Sequence, residues 1–387
     1  MSKSNETTPN VPTLRFKEFA AEWSKHSLSD FVTRITRRNK NNESSLPLTI
    51  SAQYGLVDQI TFFNKTVASV DLSGYYLLYN GDFAYNKSYS NDYAWGAVKR
   101  LDRYDKGCLS SLYFVFRPKD SVDSDYLTHY FETKKWHKGI SDIAGEGARN
   151  HGLLNMAVDD YFATKHFLPA IDEQRKIAAF LNKIEKRIEI QNKIISKYES
   201  LIKGIRERIA NKKWNWIKLD TLIKKGVITL NRGNIIPKHI KDDEYTYPVY
   251  SSSTQNSGLM GYSNSFMFDK ALITWSIDGG GNFFYRNKHK FNVTNVCGIM
   301  QVDESVYSYR FIAEMLIYQH SKMKFDYQSK AHPSVISSLY SLPEISLAEQ
   351  EELGKLFEVL TKRMQGEILF LDKLKEQKKY LLSKMFI

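Results

Sequence analysis

Two short segments, "GEGARNHGLLN" at 145–155 and "YQSKAHPSVI" at 327–336, place Arg149, Asn150 and His151 in one and Gln328, Lys330 and His332 in the other. Guanidinium and carboxamide groups can make paired hydrogen bonds to the edges of guanine or adenine in the major groove, each pair giving roughly 1–3 kcal/mol of discrimination. The chemistry indicated is base reading, and solvated turns are the other reading of the same residues. Gln53 with Tyr54, and Thr254 with Gln255 and Asn256, form a second candidate pair. Lys87 and the run "RITRRNK" at 34–40, which carries Arg34, Arg37 and Arg38, have the charge to hold phosphates. Such contacts position a protein without specifying sequence, and an ordinary solvated charge run fits the same residues.

No catalytic signature accompanies these groups. There is no G-x-x-x-x-G-K-[ST] phosphate loop, no G-x-G-x-x-G after a strand, no C-x-x-C pair and no H-E-x-x-H helix. The absence of any Pro-Pro pair also excludes the Asn/Asp-Pro-Pro-aromatic element of amino-group DNA methyltransferases. "DGGGNF" at 278–283 reads as a flexible or close-approach loop ahead of a nucleotide site. The nine histidines show no ligand spacing, so no metal site is expected.

Composition bounds the partner and the compartment. The chain has 387 residues, enough for two domains with connecting elements, and a formal net charge of +12. A basic surface gains affinity for phosphates through counterion release, and charge alone leaves the partner open between nucleic acid, an anionic membrane and none. Two cysteines, Cys108 and Cys297, exclude a disulfide framework and read as buried thiols in a reducing compartment. No apolar run approaches the roughly 20 residues needed to span a bilayer.

The elements that must position the candidates come in two copies. "LPAIDEQRKIAAFL" at 168–181 and "LPEISLAEQEELGKLF" at 342–357 each open a long proline-free stretch. Aligning Glu173-Gln174 with Glu349-Gln350 superposes two heptad seams without a gap. One runs through Ile177, Leu181, Ile184, Ile188, Ile195, Ile202 and Ile205, the other through Leu353, Phe357, Leu360, Met364, Leu371, Leu374 and Leu381. Each is interrupted at the same register by a polar residue, Gln191 or Glu367, and the second again at Lys378. An apolar stripe of this kind needs a partner, and the other copy is the nearest, most simply in an antiparallel coiled coil. About 37 residues make a rod of roughly 55 Å, the length of about 16 base pairs.

Ahead of each helix lies a segment rich in Tyr, Phe, Asn and Gly, broken by turn dipeptides, which predicts an α+β unit of short strands and long loops. The copies correspond loosely. Trp23 with Leu28 matches Trp214 with Leu219, "PLTISAQYGL" matches "YPVYSSSTQNSGL", "GDFAYNKS" matches "KALITWSID", and Cys108 is placed against Cys297.

With the doubled Leu-Pro…Glu-Gln helix opening and the Trp-x-x-x-x-Leu start of each unit, the chain from about Val11 to Ile387 resembles the DNA-specificity subunit of Type I restriction-modification systems. The "GARNHGLLN" and "YNKS" segments look like that family's first recognition domain, while the second domain departs further. The resemblance implies a first target recognition domain at 1–169, a central long helix at 170–211, a second recognition domain at 212–342 and a C-terminal long helix at 343–387. It implies no catalysis by this chain, with each domain reading one half of a gapped, asymmetric double-stranded DNA target. It further implies two methyltransferase subunits and restriction/translocase subunits as partners. S-adenosylmethionine, ATP and Mg would then be bound by those partners and none by this chain, in the cytoplasm of a bacterial or archaeal cell. A non-catalytic helical scaffold that recruits proteins without reading bases is the rival, and an enzyme of unknown mechanism comes third.

Overall fold

The computed structural model describes residues 10–51, 54–65, 67–88, 93–144, 153–253, 255–323 and 330–387. They fall into two compact units, Met1–Ile190 with Leu371–Ile387, and Gln191–Phe370, so that each long helix is shared between them. The fold is α+β.

The first unit runs β1 (Ser24–Ser27), α1 (Leu28–Phe31), β2 (Val32–Arg34), β3 (Leu48–Ser51), β4 (Gly55–Asp58), α2 (Gln59–Phe63), β5 (Tyr76–Tyr79), β6 (Phe83–Asn86), β7 (Ala97–Arg100), β8 (Lys106–Leu109) and β9 (Phe114–Pro118). Then come α3 (Ser124–Tyr130), α4 (His137–Ile143), α5 (Val158–Ala163), β10 (Lys165–Leu168) and the first half of α6 (Ile171–Ala210). The second unit has the other half of α6, then β11 (Trp216–Lys218), α7 (Leu219–Lys224), β12 (Ile228–Arg232), β13 (Tyr247–Tyr250), β14 (Leu259–Ser263), β15 (Phe268–Asp269), β16 (Leu272–Ser276), β17 (Phe283–Arg286), β18 (Lys290–Val293) and β19 (Cys297–Val302). It continues through α8 (Tyr309–Ser321), α9 (Pro333–Leu339), β20 (Ser341–Pro343) and α10 (Leu347–Lys384), whose last turns belong to the first unit.

Strand pairing makes the repeat explicit. One sheet has the order β2-β9-β6-β7 and its counterpart β12-β19-β16-β17. The other runs β14-β13-β18-β15 in the second unit, and in the first the β3-β4 hairpin and the antiparallel pair β5-β8 meet through a parallel bridge from Pro47 to Cys108. A short antiparallel pair closes each unit, β1 with β10 and β11 with β20. This topology corrects one correspondence expected from sequence. Cys108 lies on β8, the counterpart of β18, whereas Cys297 opens β19, the counterpart of β9. Both thiols are buried.

Aromatic residues fill the cores, because sheets of four short strands must bury large side chains to be stable. In the first unit Tyr85 stacks on Tyr161 at 4.7 Å and Phe83 on Phe116 at 5.5 Å. In the second, all five residues of β16 are buried, and the Trp275 indole donates to Ala331 O at 2.7 Å. Opposite it Gly298 has to be glycine, since a Cβ there would lie 1.9 Å from the Trp275 ring.

The doubled Glu-Gln motif acquires a structural reason. Gln174 Oε1 accepts the N–H of Asp123, the N-cap of α3, while its Nε2 donates to Pro169 O. Gln350 Oε1 accepts the N–H of Ser308, the N-cap of α8, and its Nε2 donates to Ile345 O and Val306 O. Each buried carboxamide therefore ties the first turn of a long helix to the start of a helix in its own unit, satisfying groups that burial would otherwise orphan. The preceding acids differ. Glu173 is 1% exposed and paired with Arg15 at 2.7 Å, whereas Glu349 receives the Ser346 cap at its backbone N–H and lies 3.9 Å from Lys212.

Within each unit the long helices pack antiparallel. In the first, Ile177, Leu181 and Ile184 are buried in a core with Leu381, Met385 and Phe386, and Ile188 packs on its edge. In the second, Ile202, Ile209 and Phe357 form a cluster with Phe311 and Met315 of α8, flanked by partly buried Ile205, Leu353, Leu360 and Met364. Ile195 is half-buried, and Leu371 and Leu374 are buried. The polar interruptions meet one another: Gln191 donates to Glu367 O at 3.0 Å and to its carboxylate, and Lys378 pairs with Glu185 and Glu132. Of the helix glycines, Gly204 and Gly366 face open space while Gly354 lets Ser308 and Arg310 approach.

One buried titratable group ties the first unit's stability to pH. His166 is 3% exposed and bonded to Tyr130 Oη and Thr164 Oγ1, and burial pushes its pKa from 6.5 to about 4. The unfolded state therefore takes up the proton first as pH falls. Stability is full above pH 6.5 and lost on the way down to about 4, by about 3 kcal/mol at most from this group. Denaturant titrations across that window should show the slope shrinking in His166→Gln. The remainder is expected from buried His129, whose pKa is also lowered by burial.

Candidate nucleic-acid interface

The turn joining β13 to β14 is built for exposure. Ser251 N donates to Gly258 O at 2.7 Å, closing the loop, and Asn256, Ser257 and Gly258 follow one another at φ 48°, 51° and 82°. Three successive left-handed residues turn the chain tightly. Gly258 is required there, since a Cβ would sit 2.8 Å from Ser251 O. The exposed Gln255 and Asn256 occupy this turn. In the first unit Tyr54 occupies the equivalent turn between β3 and β4, 57% exposed and 6.4 Å from the Phe62 ring. Gln53 and Thr254 lie outside the described residues.

A second set of candidates gathers at the end of the central strand. Just past β16, Ile277 O accepts the N–H of Ala331, while exposed Lys330 reaches Asp278 at 3.6 Å and exposed His332 caps α9. Just past β6, Lys87 O accepts the N–H of Leu154 in the same way. The segments that carried the base-reading candidates are therefore stitched to corresponding points of the two sheets, although Arg149, Asn150, His151 and Gln328 themselves lie outside the described residues. Lys87 Nζ stands 4.9 Å over the Phe114 ring, and burial lowers its pKa.

In the second unit these pieces converge. Ser276 Oγ donates to Ser252 O at 2.6 Å, and a Cβ on Gly279 would lie 2.3 Å from that same oxygen. "DGGGNF" is thus the tight β16–β17 turn, in which Gly279 allows close approach to the Ser251–Gly258 turn and Gly280 and Gly281 supply φ of 82° and 79°. One edge of the unit therefore presents Gln255, Asn256, Lys330 and His332 on abutting loops. These are hydrogen-bonding and cationic groups on an exposed edge, suited to binding rather than to covalent chemistry.

The basic run of the first unit divides. Arg34 is exposed at the end of β2. Arg37 is engaged internally: Nη2 lies 2.9 Å from the fully buried Asp82, which Arg117 also meets at 2.6 Å, and its guanidinium stacks on Tyr79 at 4.2 Å. Arg38 is exposed, bonded to Gly74 O at 2.6 Å and stacked on Tyr76. The equivalent loop of the second unit, between β12 and β13, exposes Lys238 and Lys241 beside Ile235 and Ile240, which are 85% and 86% exposed. Sequence reasoning missed these lysines, and only the strand-by-strand match to the first unit reveals them. Among the described residues no cluster of His, Cys, Asp and Glu could hold a metal, and no helix is long and apolar enough to cross a membrane.

Comparison with known proteins agrees with this geometry. Residues 211–377 match the family model described as the Type I restriction modification DNA specificity domain. The match falls on the second half of the chain, the half expected from sequence to depart further. The Type I restriction enzyme MpnII specificity subunit of Mycoplasma pneumoniae is 30% identical over 146 residues, 37% of this chain and 43% of the relative. A putative type I specificity subunit from the same organism, S.MpnORF289P N-terminus, is 37% identical over 103 residues, 26% of this chain and 54% of its own. The chain spans about half the length of the curated relatives it matches. The fold is that of the S subunit of a Type I restriction-modification system from M. genitalium, with a TM-score of 0.59 at 17% identity over 97% of this chain and 99% of the other. A chain from a structural study of complex assembly and conformational transition in the type I R-M system gives 0.54 at 14% identity, over 94% and 97%.

Proposed function

With residues 211–377 in the DNA specificity domain family of Type I restriction modification, we propose that the chain is the sequence-reading, non-catalytic subunit of such a system. Each globular part reads one half of a gapped, asymmetric duplex target. One observation carries this reading: the same two sites, the first hairpin turn and the segment anchored at the end of the central strand, recur in both units with different residues exposed. Tyr54 stands where Gln255 and Asn256 stand, and Lys87 marks the point matched by Ile277 beside Lys330 and His332. Repeated architecture with unlike loop chemistry is what two independent readers of unlike half-sites require.

The partners follow from the same reading. Two methyltransferase subunits act on adenine where this chain directs them, and restriction/translocase subunits join for cleavage. S-adenosylmethionine, ATP and Mg are theirs, and this chain binds none of them. The assembly works in the cytoplasm of a bacterial or archaeal cell, where the DNA is.

The net charge of +12 makes the test direct. Binding of the chain to duplex DNA should weaken steeply with salt, losing about 10³-fold or more between roughly 50 and 200 mM if about six phosphates are held. Fluorescence anisotropy with a labelled duplex measures this. Salt-insensitive binding, or binding to proteins alone, would favour the helical scaffold instead.

A further inference from the structure

The Ser251–Gly258 turn of the second unit rests on buried polar groups. Alternate residues of a strand share a face, and the face of β16 and β17 turned toward β13 carries Thr274, Ser276 and Arg286, all buried. Ser276 holds Ser252 O, the Thr294 N–H donates to Tyr250 O at 2.9 Å, and the Thr294 hydroxyl donates to Ser251 Oγ at 3.3 Å. Arg286, 4% exposed, meets both ends of the turn. Its guanidinium lies 3.7 Å from the ring centroid of Tyr250, which leads into the turn, and a Cβ on Gly258, which closes it, would stand 3.4 Å from Nη2. Nε donates to Thr274 Oγ1 at 3.0 Å, while Nη2 has no hydrogen-bond partner among the described residues.

The architecture by itself does not require a cation at this level. In the first unit the layer between the two sheets is apolar, with Leu48, Ile50, Leu56, Ala84 and Leu101 buried in one cluster. A buried donor without a partner is destabilising, and burial brings the pKa of Arg286 only down to about 10, so the charge persists at neutral pH. The cation is retained beneath a turn that carries three successive left-handed residues and the exposed Gln255 and Asn256. We propose that Arg286 is a positioning residue for base reading: stacked on Tyr250 and packed against Gly258, it holds the Ser251–Gly258 turn in the one geometry that sets the base preference of this unit's half-site. A desolvated cation is drawn to an aromatic face more strongly than one in water, so the stack fixes Tyr250 and with it the entry to the turn. Base pairs are told apart by hydrogen bonds that weaken steeply with misalignment. A turn free to drift therefore loses selectivity before it loses affinity for phosphates. The inference rests on the DNA-reading function and deepens it.

The test compares the full chain with Arg286→Met, which removes the charge and the donors from a side chain of similar length. Selection from randomised duplexes should show the preference at one half-site, the one that an exchange of residues 212–341 also changes, falling at least about fivefold per affected base pair. The other half-site should keep its preference. A residue needed for stability alone would instead lower binding to both halves together, in proportion to the folded fraction. Arg286→Lys restores a cation over Tyr250 without the fork and should recover part of the lost preference. Exchange of the Ser251 amide hydrogen, which is bonded to Gly258 O, should quicken about tenfold or more in Arg286→Met. Should that variant misfold, Tyr250→Leu removes the ring and keeps the arginine, and the same one-sided loss is expected. Unchanged preferences in a variant of a selective parent, equal losses in both halves, or unchanged Ser251 exchange would overturn the role of Arg286. A parent without preference in either half would overturn the DNA reading itself.

Discussion

Exchanging residues 212–341 for the corresponding segment of a relative with another target is expected to change one half of the recognised sequence and leave the other intact. The segment lies wholly inside Gln191–Phe370 and contains both candidate loops of that unit, the Ser251–Gly258 turn and the strip around Lys330 and His332. The exchange leaves α6 and α10 native. The graft must keep Ser308, Arg310 and Glu314, because these meet Gln350, Thr361 and Arg206 on the retained helices. Each altered base pair should then reverse a preference of roughly 1–3 kcal/mol, about 5- to 150-fold. Several such positions together amount to a complete switch of that half-site. Selection from randomised duplexes, performed on the parent and the chimera, reads the outcome directly. Altered preferences in both halves would mean that the two units do not read independently.

Much of the architecture could be read from the chain because helices advertise themselves. The heptad seams and the doubled Glu-Gln helix opening are local, gap-free patterns, and the structure packs Ile177 and Leu181 in one unit and Ile202 and Phe357 in the other. The sheets are a different matter. Their pairings join residues far apart in sequence, and short strands such as Tyr76–Tyr79 or Phe268–Asp269 carry almost no periodic signal. That is why sequence order sets Cys108 against Cys297, while the backbone puts them on strands that are not counterparts. Charge was equally ambiguous. "RITRRNK" reads as one basic run, yet the buried carboxylate of Asp82, more than 40 residues away, decides that Arg37 is engaged inside the protein while Arg34 faces solvent. The roles of Gln174 and Gln350 also needed the fold, because nothing local says that a carboxamide will meet the backbone N–H of an N-cap residue, Asp123 or Ser308.

The largest stability effect is expected at Glu314. This residue of α8 is 1% exposed, with Arg206 of α6 at 2.5 Å and Arg310 at 2.6 Å on its two oxygens. Arg310 also reaches Thr361 Oγ1 and Phe357 O on α10. The carboxylate is thus the hub that fastens the globular part of the second unit to both long helices. Removing one partner of a buried charge set leaves the others uncompensated and costs about 3–5 kcal/mol. Against a typical domain stability of about 5–15 kcal/mol, Glu314→Ala should bring the second unit close to its unfolding limit. Glu314→Gln should fall between, because the amide keeps one acceptor oxygen but gives up the charge. Replacing Glu314, Arg206 and Arg310 together with apolar residues of similar volume should recover much of the loss, since no unpaired charge then remains buried. Urea titrations of the full chain, following the transition of the second unit, measure all three. A loss below about 1 kcal/mol for Glu314→Ala would place the set among solvated surface pairs. The seating of the second unit's globular part on its helices would then rest on the apolar cluster of Phe311, Met315 and Phe357 alone.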